Sequence, residues 1–167
     1  MEPLDELDHV RGSPAGRVLI EYGDYECPYS RRAFREIERV ERQMGGALQF
    51  VFRHFPLTEI HPHALAAALA AEAAALQDRF WAMSEALFHH QRALEDDDLR
   101  GYAAELELDV DRFDHDRAGS AVAERVRRDI DSGGASGEVL GTPTLFIDGV
   151  VHRGPFDANS LLEALTR

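Results

Sequence analysis

Apolar and polar positions alternate along this chain in two distinct rhythms. A short continuous run at Val18, Leu19 and Ile20 predicts a buried strand over residues 17–22. After Pro28 the spacing lengthens, and Ala33, Phe34, Ile37 and Val40 fall on one side of a helix that begins at Cys27 and stops at Gly45 and Gly46. β-type residues return at 48–52, which completes a strand–helix–strand unit whose crossover is long enough for a parallel pair. From Pro62 to about Asp131 the pattern is helical. It starts with an alanine-rich stretch at 63–76, continues with Phe80, Trp81, Met83, Leu87 and Phe88 on one core-facing stripe, and resumes after Asp96, Asp97 and Asp98 with Leu99, Tyr102, Ala103, Leu106 and Leu108. A short helix starts at Asp109 and another covers residues 120–130. The Gly/Ser-rich stretch 132–137 lacks the lysine of a phosphate loop and reads as a flexible turn. A hairpin follows, 144–147 and 150–153, joined by Asp148 and Gly149 in the type I′ manner, and Asp157 caps a closing helix through Leu161, Leu162 and Leu165.

Composition narrows the function classes. The 167 residues and 44% hydrophobic content suit one well-cored domain. With 31 acidic against 18 basic residues the formal charge is −13, which disfavours nucleic acid or an anionic membrane as partner. Residues 1–16 carry Glu2, Asp5, Glu6 and Asp8 without an apolar core, so they do not read as a secretory signal but as an irregular lead-in, and no run approaches a membrane span. The expected location is cytoplasmic.

The one cysteine, Cys27, carries the chemistry. It stands where the first strand hands over to the first helix, and a helix N-terminus favours a thiolate, with Arg31 and Arg32 assisting and Asp24 and Glu26 opposing. A single thiol excludes an internal disulfide and any two-cysteine zinc site. Tyr25, Glu26 and Tyr29 flank it, with packing or solvent exposure as the plain reading. For Glu26 that reading and a site role stand level.

The histidines invite a metal reading that their spacing does not support. His61 and His63 straddle a proline at the start of a helix, His89 and His90 are adjacent, and neither pair converges, so no metal is expected. His54, after the second strand, reads as structural, with an approach to the active site as the alternative. Phe55 and Phe146 read as core.

Five separated blocks, EYGDYECPY at 21–29, RHFPL at 53–57, HPHA at 61–64, FWAM at 80–83 and GTPTLFIDG at 141–149, resemble the thioredoxin fold in its DsbA-like branch. They are especially similar to DsbA-like domains that stand alone or follow a bacterial sodium/proton antiporter. The resemblance implies an α/β thioredoxin core from 17–60 and 138–167, with a helical insertion at 61–137. It implies a cis Thr142–Pro143 bond lying against Cys27. It also implies that Pro28 and Tyr29, between positions 27 and 30, join Thr142 and Pro143 in substrate binding.

Where the family's oxidoreductases carry a second cysteine, this chain has Ser30. Without a resolving thiol, a mixed disulfide must be released by a second molecule. The implied activity is therefore monothiol exchange with protein or small-molecule thiols and disulfides. Cys27 is the nucleophile, and Ser30 stabilises the thiolate by hydrogen bonding. No tightly bound cofactor is implied, and a glutathione-like thiol would act as co-substrate. The alternatives are a non-catalytic, chaperone-like binding module and a glutathione-dependent isomerase or transferase of the same superfamily.

Overall fold

The computed structural model describes residues 4–167. Five strands form one sheet: β1 (His9–Gly12), β2 (Arg17–Gly23), β3 (Leu48–His54), β4 (Thr144–Ile147) and β5 (Val150–His152), in the order β1-β3-β2-β4-β5. Only β2 and β3 run parallel, in register from Arg17 opposite Leu48 to Gly23 opposite His54. Their crossover is α1 (Pro28–Met44), which buries Ala33, Phe34, Ile37 and Val40. The later hairpin adds β4 antiparallel to β2, with Asp148 and Gly149 both at positive φ, as a type I′ turn requires. The closing helix α7 (Ala158–Thr166) is capped by Asp157, whose carboxylate accepts from the Ser160 N–H at 3.1 Å.

The insertion comprises α2 (Ala64–Ala75), α3 (Phe80–His89), α4 (Asp96–Glu105), α5 (Val110–Arg117) and α6 (Ser120–Ser136). α2 is apolar around its circumference except at Glu72, with Ala67, Ala68, Ala70, Ala71, Ala73 and Ala74 all buried, so it runs through the middle of the block against α3, α5 and α6. One face of the sheet, through Leu19, Phe50, Phe52 and Leu145, packs into a core shared with α1 and the insertion. The other face presents Ile20, Tyr22, Val51 and Phe146 to a smaller cluster.

Two sequence expectations are corrected. The stretch read as an irregular lead-in contains β1, which pairs antiparallel with β3 from His9 opposite Phe52 to Gly12 opposite Gln49. Its own residues hold one apolar side chain, and the hydrogen-bonding partner is the otherwise open edge of β3. Residues 1–3 of that stretch lie outside the described residues. The Gly/Ser-rich segment is not a turn either, because α6 continues through it and stops at Gly137 in the left-handed conformation. A Cβ on Gly133 would lie 2.9 Å from the Phe55 ring and 3.2 Å from that of Tyr22. Ser132 Oγ is 2.6 Å from the Tyr22 hydroxyl. Small residues there let the helix press on the sheet.

A buried polar cluster closes the same face. Arg53, fully buried, donates to both carboxylate oxygens of Asp8 at 2.8 Å and to the Tyr22 hydroxyl at 2.9 Å. Such a forked pair offsets the desolvation of both charges.

Candidate active site

Cys27 is the N-cap of α1, with extended backbone angles, and Pro28 opens the first turn. The cysteine is 3% exposed, while Pro28 and Tyr29 beside it are exposed, so the sulfur sits in a recess with an open rim. Its S–H donates to the Thr142 carbonyl at 3.4 Å. The peptide between Thr142 and Pro143 is cis, and both residues are half-buried. The Thr142 hydroxyl is buried without a hydrogen-bond partner. Thus Cys27, Pro28, Tyr29, Thr142 and Pro143 converge on one place. Ser30, fully buried, lies in the first turn, and its Oγ accepts from the Asp24 N–H at 3.2 Å.

The loop leading into Cys27 is clamped by the insertion. Asp24, whose side chain is fully buried, accepts from the N–H groups of Glu26 and Leu57 and from His61 Nδ1, at 2.8, 2.9 and 2.8 Å. Glu26 accepts from the backbone N–H and Nδ1 of His63 at 2.7 and 2.9 Å, and His63 Nε2 reaches Glu95 at 3.0 Å. Glu26, and more weakly Glu95, draw the proton affinity of His63 above that of an ordinary imidazole. Gln91 completes the clamp, donating at 2.8 Å to the carbonyls of both Tyr25 and Cys27.

Sequence reasoning weighed His61 and His63 only as metal ligands and dismissed them. The usable signal was the matched spacing, two carboxylates at 24 and 26 facing two histidines at 61 and 63. His61 and His63 precede α2, in irregular chain where the divergence of helical neighbours does not apply.

Glu21 is a further residue the sequence reading passed over. It lies in β2 between Phe52 and Leu145, fully buried, with both carboxylate oxygens lacking partners. Burial pushes its carboxyl well above the usual range, only partly opposed by the charge of Arg11. Tyr25, also fully buried, spends its hydroxyl on Ser84 at 2.7 Å.

His54 belongs to a separate polar cluster. Glu72 Oε1 lies 2.6 Å from His54 Nε2 and 2.7 Å from His9 Nε2. Burial alone would raise the Glu72 carboxyl, but hydrogen bonds from His54 and His9 outweigh it and hold the group well below the usual range. An ionised carboxylate only accepts, so both Nε2 atoms carry protons. Among the described residues, these are the one group of three or more histidine, cysteine, aspartate or glutamate side chains whose ligand atoms lie within 4.8 Å of one another, close enough to hold a metal ion. His54 is thereby committed to fastening α2 against the sheet.

The thioredoxin family model matches residues 5–167. The chain is 47% identical over 169 residues to a sodium/proton antiporter NhaA 1 of Mycolicibacterium gilvum, covering 99% of this chain but 27% of that protein. An NhaA antiporter of Herminiimonas arsenicoxydans is 45% identical over 165 residues, of which the match covers 26%. The chain therefore spans about a quarter of the length of these curated relatives. Among the described residues, no helix is long and apolar enough to cross a membrane. Among solved structures, a thioredoxin-like oxidoreductase of Silicibacter pomeroyi superposes with a TM-score of 0.86 at 26% identity, covering 98% of this chain and 92% of that one. The thiol-disulfide exchange protein alpha-DsbA2 of Wolbachia pipientis gives 0.84 at 20% identity, covering 97% and 87%, a likeness of fold.

Proposed function

Because the chain belongs to the thioredoxin family, with a DsbA-like arrangement of its insertion, we propose that it is a thiol-disulfide oxidoreductase working through one sulfur. The observation that carries this reading is the seat of Cys27, on a helix N-cap with its sulfur 3.4 Å from the Thr142 carbonyl. A helix N-terminus stabilises negative charge on sulfur. The thiolate attacks a disulfide, one S–S bond forms as another breaks, and the departing thiolate keeps the electron pair. A second, small thiol then releases the mixed disulfide, since Ser30 stands in the first turn where the oxidoreductases have their second cysteine.

Each neighbour has a role in this reading. Ser30 accepts from Asp24 and keeps its own O–H to donate toward the sulfur once charged. The unpartnered Thr142 hydroxyl is available to a bound thiol, and Pro28, Tyr29 and Pro143 form the apolar rim against which a substrate chain lies.

Exposure of native protein to an oxidised small thiol, read by intact mass, tests the proposal. One adduct per chain is expected, reversed by the reduced thiol and absent in Cys27→Ser. Ser30→Ala is expected to slow alkylation of Cys27. The competing reading, a binding module without turnover, is favoured by the 3% exposure of Cys27. A sulfur that forms no adduct until the protein is unfolded decides for the module.

A further inference from the structure

A cavity of about 380 Å³ opens beside the active-site turn, between the first turns of α1 and the α3–α4 connection, lined by Arg31, His89, His90, Gln91, Arg92 and Ala93. Its charge runs against that of the molecule. The chain carries a formal −13, yet this lining contains no acidic side chain and holds two arginines. Neither Arg31 nor Arg92 forms an ion pair with any described residue, and the Nε of Arg31 is buried without a hydrogen-bond partner. Most other arginines of the chain are matched, as Arg11 is to Glu41, Arg100 to Asp114 and Arg117 to Asp96. A guanidinium stays charged at any working pH, so two arginines without ion pairs give this cavity a positive charge that an anion can answer.

The cavity is joined to the reacting group through the backbone. Gln91, in its wall, donates to the Cys27 carbonyl at 2.8 Å, and the Arg31 N–H donates to the same oxygen at 3.1 Å. The His90 ring is held by stacking on Tyr102, with centroids 5.2 Å apart and planes 11° from parallel. Several acids of neighbouring segments are occupied or line another hollow. Glu26 is bound by His63, and Glu38 and Glu85 line the adjoining hollow with Arg35 and His89.

We infer that this cavity binds the carboxylates of an acidic low-molecular-weight thiol while its sulfur is exchanged at Cys27. The inference rests on the thiol-exchange reading and adds to it the place where the carboxylates of such a thiol are held. Arginine forks match carboxylates in two parallel hydrogen bonds, and an acidic small thiol presents such groups a few bonds from its sulfur. The reaction is the balanced exchange already described. Cys27 thiolate and an acidic disulfide give the mixed disulfide and one free acidic thiolate, with no outside oxidant.

The test compares second-order rates of mixed-disulfide formation with two probes, oxidised glutathione and uncharged 2-hydroxyethyl disulfide, each quenched with acid and read by intact mass. The ratio of the glutathione rate to the neutral rate is expected to fall about fivefold in Arg92→Glu, and further in an Arg31→Gln/Arg92→Ser double variant. Added salt is expected to narrow the same ratio in the wild type. A ratio that neither variant nor salt alters overturns the cavity assignment while leaving thiol exchange standing. A wild-type protein that reacts with neither probe overturns both.

Discussion

The sulfur of Cys27 and the carbonyl oxygen of Thr142 meet at 3.4 Å across 115 positions of chain. They meet because β4 pairs with β2 from Thr144 opposite Tyr22, which brings the segment before β4 against the loop after β2. The Thr142 hydroxyl is the odd group in this contact, buried and without a partner. Thr142→Val keeps the shape and removes the hydroxyl. It is expected to raise unfolding stability by about 1 kcal/mol in a denaturant titration, while slowing adduct formation at Cys27.

Glu21 pays the same penalty with a larger group. Its carboxyl keeps its proton to a higher pH in the fold than in the unfolded chain, where it ionises around the ordinary value of 4.5. The unfolded state then binds fewer protons, so Glu21 makes stability fall as pH rises from 4.5 toward the folded-state value. Glu21→Met is expected to stabilise the protein by about 1–3 kcal/mol at neutral pH and to flatten that slope, measured as melting temperature against pH.

Glu72 has the opposite sign. Its folded carboxyl lies below the ordinary 4.5, so its contribution is complete above 4.5 and is lost as pH falls from there toward the folded-state value. Glu72→Ala leaves the N–H groups of His9 and His54 without their acceptor, one of them fully enclosed. A loss of about 3–5 kcal/mol is expected in denaturant unfolding at neutral pH, together with a weaker dependence on acid.

His63 reports on the clamp around the active-site loop. Its raised proton affinity means that its contribution to stability is complete below the unfolded-state value of 6.5 and is lost as pH rises through the folded-state value. An NMR titration of the His63 ring is expected to show a midpoint above 6.5 in the wild type. In Glu26→Gln it should move downward. An unchanged midpoint in that variant means Glu26 is not the group that holds the proton.

Much of this was legible beforehand, wherever the cause is local. A proline after Cys27, an apolar stripe at 33, 34, 37 and 40, and the Asp148–Gly149 turn each constrain their own stretch of backbone. The alanine run at 63–76 is helical by propensity. β1 was missed because its pairing energy resides in β3. The tail of α6 was misread because Gly133 is a glycine for lack of space against Phe55 and Tyr22, not for freedom of the chain.

The site divided in the same way. A single thiol in 167 residues already marked Cys27 as the candidate reactive atom, a fact of chemistry before it is one of shape, and the resemblance to the DsbA-like branch marked Ser30 as standing where that branch has a second sulfur. The contact of Thr142 with Cys27 was implied by the resemblance, but which groups brace the loop before that sulfur was settled by packing, as Asp24 meets His61 and Glu26 meets His63 through pairings between distant segments. Glu21 and Glu72 show why this could not be read in advance. Two glutamates of identical intrinsic acidity are driven in opposite directions, one by desolvation without partners and the other by two imidazole donors, and only the folded chain determines which carboxyl meets which surroundings.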